Sequence, residues 1–581
     1  MQDDLKSQIQ SLAQQLFGSN FSFREYQLDA IEAVIANATS NIKHTMLEAP
    51  TGSGKSMIAL ISAYVLYRLY NKKSYILVSD LSLFKQYEDD IAKLNNNCFG
   101  SIKGKEAYVC RMNECKVSQA TCSLQGYSPK TLMFKRGMFS CKHQCQYVHD
   151  YVQAMHAPIT LMTYQLYFIQ RNYVEDGLFN GKNANFPERD LVICDECHKI
   201  CDICQSHFAP RIQISRPYWM DDLDKYMHHF SNEDVRFQIV NKILDCNESN
   251  ELIDLIADYA RYLEQYLMDN EILRSRLADK RKLTKSDKKA LFAGNLARQE
   301  HCKFDDMLGF IGALGSAEYA VKTLSNDEIT LNFIFDDIML KKYFHDKSKC
   351  EMLMSATIGD FAEYAKLAGL DKKSCRAISL PSTFDFTNSP VMFSDKNKMS
   401  YDDKAKSMQE IVNQTLKICN ENAACRGIIQ TGSYANSDAL MNSLPNDVLK
   451  RCLFYKGTEE KTKMLNEFMN RSANPNDNSI LIGPTLVEGL NFPDNICRFQ
   501  ICIKVPYAYL GSEYVRKKME YVAGWYEYDV LNKLCQGIGR GVRHKSDWCK
   551  TYILDGCISH LVSKLNRFSA LNGRFKKLEL N

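Results

Sequence analysis

No run of about 18 apolar residues occurs anywhere in the 581-residue chain, which excludes a helical membrane span. Its amino terminus, MQDDLKSQIQSLAQQLF, lacks the basic start and apolar stretch of an export leader. A soluble protein of the cytoplasm, or of the nucleus in a eukaryotic host, is expected. An excess of one charge is missing too: a net +4 neither demands nor excludes a nucleic-acid partner, because a basic groove can be balanced by acidic surface elsewhere. Without an export signal the 22 cysteines are expected to be reduced thiols, so a local group of them points to metal or catalysis and not to a disulfide framework. Isolated thiols in apolar runs, such as Cys98 and Cys502, are expected in the core. What is present, 45% hydrophobic and 24% charged residues, is the make-up of an ordinary globular protein, and the length implies roughly three or four structural units.

The stretch LEAPTGSGKSMIALISAYVLYRLY (47–70) passes from an apolar strand through a Gly-rich turn into a periodic helix. That is the context of a phosphate-binding loop, in which Gly52 and Gly54 turn backbone N–H groups inward. Lys55 supplies a cation for the β- and γ-phosphates, and the Ser56 hydroxyl can ligate Mg²⁺. Ala49 stands where the usual first glycine would be. Upstream, FREYQLDAI places Arg24 and Gln27 before a helix.

DLVICDECHK (190–199) is a short apolar strand delivering Asp195 and Glu196 at its carboxyl end, where open α/β sheets bind ligands. Two such carboxylates can divide the work: Asp195 holds Mg²⁺ and Glu196 orients or deprotonates water. Cys194, Cys197, Cys201 and Cys204 imitate a metal site by count, but Cys194 belongs to the strand and the connector is too short for a zinc module. Core packing is expected for all four.

Further on, CEMLMSATIGD (350–360) is another apolar strand, ending in Ser355-Ala356-Thr357. Beyond Pro381 a new α/β alternation, with RGIIQTGSY, NSILIGPTLVEGLNF and FQICIKVPY as strands, predicts a second doubly wound unit without a phosphate loop. LCQGIGRGVRHKSD (534–547) sets Gln536, Arg540 and Arg543 on neighbouring turns of one helix start, a spacing from which arginines can reach across a cleft to a γ-phosphate.

Taken in order, APTGSGKS, DECH, SAT, VEGLNFP and QGIGRGVR resemble motifs I, II, III, V and VI of superfamily 2 helicases, within the iron-sulfur branch of the XPD/DinG family. The likeness covers most of the chain and is weakest between Cys204 and Lys349. It implies an α/β fold of two RecA-like doubly wound parallel-sheet domains, with an iron-sulfur cluster insertion and a helical arch insertion in the first. The expected boundaries are 1–105, 151–215 and 345–385 for the first domain, 106–150 for the cluster, 216–344 for the arch and 386–581 for the second domain. By this resemblance Lys55, Glu196, Arg540 and Arg543 are catalytic. Arg24, Gln27, Thr51, Gly52, Ser53, Gly54, Lys55, Ser56, Asp195, His198, Gly489 and Gln536 surround the nucleotide, with His198 coupling it to the second domain, and Ser56 and Asp195 hold magnesium. Asn491 and Asp555-Gly556-Cys557 depart from the family pattern.

Residues 106–150 contain five thiols, Cys110, Cys115, Cys122, Cys141 and Cys145. Sulfur coordination alone suits zinc or an iron-sulfur cluster equally. The resemblance selects a 4Fe-4S cluster on Cys110, Cys122, Cys141 and Cys145, with Cys115 as the alternate. The second insertion carries the amphipathic stretch 250–277, then KRKLTKSDKK, expected as a solvated hairpin tip. Tyr164 and Tyr167 are candidates for stacking bases. The whole predicts an ATP- and Mg²⁺-dependent helicase on single-stranded and forked DNA, moving 5′ to 3′ in replication, recombination or repair. It is expected to be a monomer, away from membranes, with a single-strand binding protein as a further partner. The alternatives are an RNA or RNA-DNA hybrid helicase, or a nucleic-acid clamp or scaffold with vestigial ATPase.

Overall fold

The structure, a computed structural model, describes residues 2–40, 42–94, 96–120, 123, 145–174, 186–227, 233–277, 284–382, 386–400, 402–484, 492–542 and 546–578. Two seven-stranded sheets, each wholly parallel, organise it. The first runs, edge to edge, Cys375–Ser379, His44–Glu48, Glu351–Ser355, Leu191–Asp195, Ser74–Val78, Ile159–Thr163, Phe99–Ser101. The second runs Cys452–Phe454, Ile480–Gly483, Gly427–Gln430, Phe499–Cys502, Lys550–Ile553, Val391–Phe393, Phe575–Lys577. The expected α/β class with two RecA-like sheets is what the chain adopts.

Every residue of His44–Glu48, Ser74–Val78, Leu191–Asp195 and Glu351–Ser355 is buried. Helices cover both faces of a parallel sheet, so its central strands are continuous apolar runs. That is why these strands are visible in sequence. Their carboxyl ends converge, bringing Glu48, Asp195 and Ser355 to one edge beside the loop before Lys55–Tyr70.

At the opposite end of the same strands lies a buried charge network. Glu351 accepts from His44 Nδ1 at 2.9 Å, from His345 Nδ1 at 2.9–3.0 Å and from the Ser348 hydroxyl. His345 Nε2 donates to Ala368 O at 2.8 Å. Both ring nitrogens of His345 therefore face acceptors, so the ring is an imidazolium. Burial works against that charge, but Glu351 outweighs it and holds His345 above its usual value; the two histidines conversely hold Glu351 well below the usual carboxylate range despite burial. The two shifts act in opposite directions with pH. Glu351 contributes stability above the ordinary carboxylate range that is lost as pH falls through its lowered value, and His345 contributes stability below the ordinary imidazole range that is lost as pH rises through its raised value. Glu351→Gln is expected to cost about 3–5 kcal/mol, because it strands a buried imidazolium. Denaturant melts of parent and variant from pH 5.5 to 8.5 check this: the parent should lose part of its advantage toward the alkaline end.

The second insertion packs helices Tyr218–Met227, Glu233–Asp245, Ser249–Leu277 and Lys285–Leu314. A capping box of Thr284 with Asp287 opens the last of them, so the basic run ends inside a helix; its residues 280–283 lie outside the described ones. The insertion is not purely helical. Ala320–Ser325 and Glu328–Phe333 form an antiparallel pair extended by Arg211–Gln213. The alternating burial of EITLNF is the period-two signal of a half-covered strand.

Candidate functional site

Gly54 has φ 80° and caps Lys55–Tyr70 from a left-handed conformation open to glycine. Gln27 Nε2 donates to Ser53 O at 2.8 Å, the Arg24 N–H donates to Gln27 Oε1 at 2.8 Å, and Arg24 Nη1 donates to Gly52 O at 2.5 Å. Arg24 and Gln27 thus brace the loop from behind. A Cβ at position 54 would lie 2.3 Å from Gln27 Nε2. Gly54→Ala is therefore expected to distort the cradle by about 1–3 kcal/mol, weakening ATP binding roughly 5- to 150-fold in a fluorescent-nucleotide titration.

Lys55 Nζ lies 3.4 Å from Ala49 O, folded back over the loop that precedes it. Opposite it, Asp195 and Glu196 leave the strand end. Asp195 Oδ2 accepts from the buried Tyr87 hydroxyl at 2.8 Å and Oδ1 from the Glu196 N–H at 2.9 Å. Burial, then Glu196, pushes the Asp195 carboxyl up to about 6. Burial would raise Glu196 as well, but Lys55, His198, Lys199 and Arg540 together hold it below its ordinary value. Glu196 has φ 54°, a left-handed conformation rare for a non-glycine and typical of strained functional turns.

His198 is pushed down to about 4 by burial and is neutral at physiological pH. Its Nδ1 sits 2.8 Å from Ser355 Oγ and 3.3 Å from Glu196 Oε2, and Ser355 Oγ accepts from the Thr357 N–H at 3.1 Å. A proton on Nδ1 links the DECH turn to the SAT strand end. From there Ile358 O accepts from Tyr528 OH of the second sheet unit at 2.9 Å.

Gln536 and Arg540 lie at the end of helix Trp525–Ile538, not at a helix start. Gln536 is in its last turn, and Arg540 follows the Gly539 cap in the segment whose carbonyl accepts from the Phe492 N–H at 3.4 Å. Glycines at 537, 539 and 541 stop the helix there. Arg543 and Gly489 lie outside the described residues. Two residues of the cleft escaped sequence reasoning. Tyr87, in LFKQYED, orients Asp195. Glu48, just before the loop, is wholly buried, pushed up to about 7 by burial, and accepts from the Ser569 N–H of the second unit at 3.3 Å. Tyr164 and Tyr167 are not available to bases: both are buried, their hydroxyls donating to Asp195 O at 2.9 Å and Lys347 O at 3.4 Å.

The chemistry fits MgATP. Thr51, Gly52, Ser53 and Gly54 form the turn, with Gly52 and Gly54 both at positive φ, and Ser56 and Asp195 offer hard oxygens. In the thiol insertion, Cys110 and Cys115 are partners in a two-strand hairpin and Cys145 caps helix Gln146–His156. Tyr108 OH donates to Asp150 Oδ2 at 3.1 Å, tying hairpin to helix. These thiols suit a sulfur-ligated metal, and Cys115 stands directly across from Cys110. Cys122 and Cys141 lie outside the described residues. Cys194, Cys197 and Cys204 are buried in the apolar core and Cys201 packs against it.

Comparison with known proteins agrees. A family model for a helicase C-terminal domain matches residues 416–565, and one for the type III restriction enzyme res subunit matches residues 20–214. The ATP-dependent DNA helicase CHL1 of Debaryomyces hansenii is 19% identical over 458 residues, 66% of this chain and 54% of that protein. The putative helicase 22 of a Sulfolobus islandicus filamentous virus is 34% identical over 87 residues, 15% of each chain. This chain thus spans about half the length of CHL1 (54%) and a smaller part of the viral protein (15%). Among solved structures, an XPD helicase superposes with a TM-score of 0.59 at 17% identity, covering 96% of this chain and all (100%) of that one. The Xpd4 protein of S. tokodaii superposes with a TM-score of 0.55 at 12% identity over 96% of this chain and 100% of that one. These superpositions establish the fold.

Proposed function

We propose that this chain, a superfamily 2 protein of the XPD/DinG helicase type, is an ATP-driven DNA helicase that steps along single-stranded DNA 5′ to 3′ and parts the duplex ahead of it. The observation that carries this reading is the convergence on one cleft of Lys55, Asp195 and Glu196 from the first sheet and Arg540 from the second, whose charges act on one another. A clamp that only gripped DNA would have no use for a carboxylate held ionised beside a cation from the opposite unit.

In the proposed cycle, the loop N–H groups and Lys55 hold the β- and γ-phosphates, and Arg24 and Gln27 keep the loop in shape. Ser56 and Asp195 would hold Mg²⁺, which when bound neutralises phosphate charge. Glu196, ionised at neutral pH, accepts the proton of the attacking water. Arg540, with Arg543 beside it in sequence, meets the γ-phosphate only when the units close, so hydrolysis and closure occur together. His198 and Ser355 transmit the state of Glu196 toward Tyr528. Four of the five thiols of the first insertion, Cys110, Cys122, Cys141 and Cys145, with Cys115 as the alternate, would hold a 4Fe-4S cluster that staples it.

The test is ATP turnover by the purified chain with and without single-stranded DNA, and with RNA of the same sequence. DNA-dependent stimulation with weaker response to RNA is expected. No stimulation by either polymer would sink the motor reading, and preference for RNA would replace its substrate.

A further inference from the structure

Helix Glu513–Tyr521 belongs by chain position to the second sheet unit, yet its side chains end in the helical insertion of the first. Lys517 Nζ donates to Ser249 Oγ at 3.3 Å, at the start of helix Ser249–Leu277. Lys518, 2% exposed, places Nζ 2.7 Å from Asp336 Oδ2 and 2.9 Å from Tyr514 OH, beneath the Trp525 ring at 4.8 Å. Tyr521 OH donates to Glu318, and its ring meets Tyr319 edge-on at 5.4 Å. Positions 514, 517, 518 and 521 share one helical face, so the whole face is committed to the insertion and its root.

The junction has a third member. Asp336 opens helix Asp336–Tyr343, where the insertion rejoins the first sheet unit. Asp202 lies in helix Ile200–Phe208, directly behind the DECH turn, and its carboxyl feels Lys518 first among charges. One buried ammonium thus faces carboxylates from the insertion's root and from the helix that follows the nucleotide carboxylates. A buried ion pair adds little stability over apolar packing of the same volume, so one kept at such a junction fixes relative position. Close by, Lys366 Nζ donates to Ala523 O at 2.5 Å, and Gly524, at φ 90°, packs where a Cβ would lie 1.9 Å from Glu363 Oε1. The chain between the two helices is therefore seated against the first unit.

We infer that helix Glu513–Tyr521 is the coupling rod between motor and insertion: when the cleft closes on nucleotide, the insertion tips with the second unit, and Lys518 is the positioning residue that transmits the movement. This rests on the motor reading above. Exposed contacts alone would slide; the buried Lys518–Asp336 contact gives the rod one seat, so closure of a few ångströms at Arg540 becomes displacement of the long helices instead of slippage.

Three variants test it: Lys518→Met, its conservative counterpart Lys518→Arg, and the double variant Ser249→Ala/Tyr521→Phe, which trims the outer half of the rod without burying an unpaired charge. Each is assayed for melting temperature, single-stranded-DNA-stimulated ATPase and forked-duplex unwinding. Folded Lys518→Met and double-variant proteins should keep ATPase within about threefold and lose unwinding by about tenfold or more, with partial recovery in Lys518→Arg. Parallel loss of both activities, or loss of neither, overturns the inference. A parent without DNA-stimulated ATPase would instead refute the motor reading. The coupling is then read by spin–spin distances between nitroxide labels attached to keto amino acids introduced at the exposed positions 70, 268 and 509, with and without a non-hydrolysable MgATP analogue. The analogue should change the 70–268 distance and leave 268–509 unaltered; a change in 268–509, or in neither, overturns the coupling.

Discussion

Glu196→Gln is expected to lower ATP turnover about 10²–10⁴-fold while leaving ATP affinity within a few-fold of the parent. The exchange is nearly isosteric, and it keeps the N–H that donates to Asp195 Oδ1 at 2.9 Å. It keeps the left-handed backbone at φ 54° without adding strain beyond that glutamate already bears. What disappears is a carboxylate that Lys55, Lys199 and Arg540 hold ionised against the pull of burial. An amide cannot take a proton from water, so the chemical step slows and binding does not. Asp195 also loses the neighbouring charge that, after burial, raises its carboxyl toward about 6, and it stays ionised to lower pH. Single-turnover hydrolysis beside nucleotide titration separates the two effects. Full turnover by the variant would remove Glu196 from the reaction.

The parts of this site legible in sequence are those whose chemistry is local. A glycine turn between a buried strand and a helix, or two carboxylates at the end of an apolar run, carry their conformation in a few adjacent residues. The cysteines of DECHKICDIC were readable for the same reason: once LVICD is a buried strand, its thiol belongs to the core. What escaped depends on contacts between distant segments. Tyr87 touches Asp195 across 108 positions and Glu48 meets Ser569 across 521, and neither tyrosine nor glutamate is unusual where it stands. Tyr164 and Tyr167 suggested base stacking because aromatics along a single-strand passage can stack bases. Here Leu191–Asp195, two strands along the same sheet, offers Asp195 O to Tyr164, and a buried hydroxyl needs such a partner. The polarity of the Gln536–Arg540 helix was misjudged since a spacing of four residues is the same at either end. The glycines at 537, 539 and 541 were the signal that it was ending. Hidden among the helices of the second insertion, EITLNF was too short to outweigh the helical periodicity around it.

Arg540→Ala is expected to reduce turnover about 10³-fold or more, the scale on which an arginine finger acts, and to abolish stimulation by single-stranded DNA. The residue reaches the cleft from the second sheet, beyond the end of its helix, where its charge already bears on Glu196 and His198. Its contribution therefore depends on how closely the two units approach, and DNA gripped across both units is what would set that approach. Arg540→Lys should recover little, because an ammonium cannot present the guanidinium's fork of donors to phosphate oxygens. The two active-site variants then fail in distinguishable ways. With Glu196 replaced, nucleotide is bound and the units can close, so the variant should hold ATP and DNA together in a long-lived complex. With Arg540 removed, nucleotide is bound but closure gains nothing from the γ-phosphate, so ATP should no longer alter DNA affinity. Measuring DNA dissociation with ATP and with ADP separates them: a strong nucleotide dependence in Glu196→Gln and none in Arg540→Ala places chemistry on the first sheet and its sensing on the second. Equal nucleotide dependence in both variants would mean that Arg540 takes no part in closure.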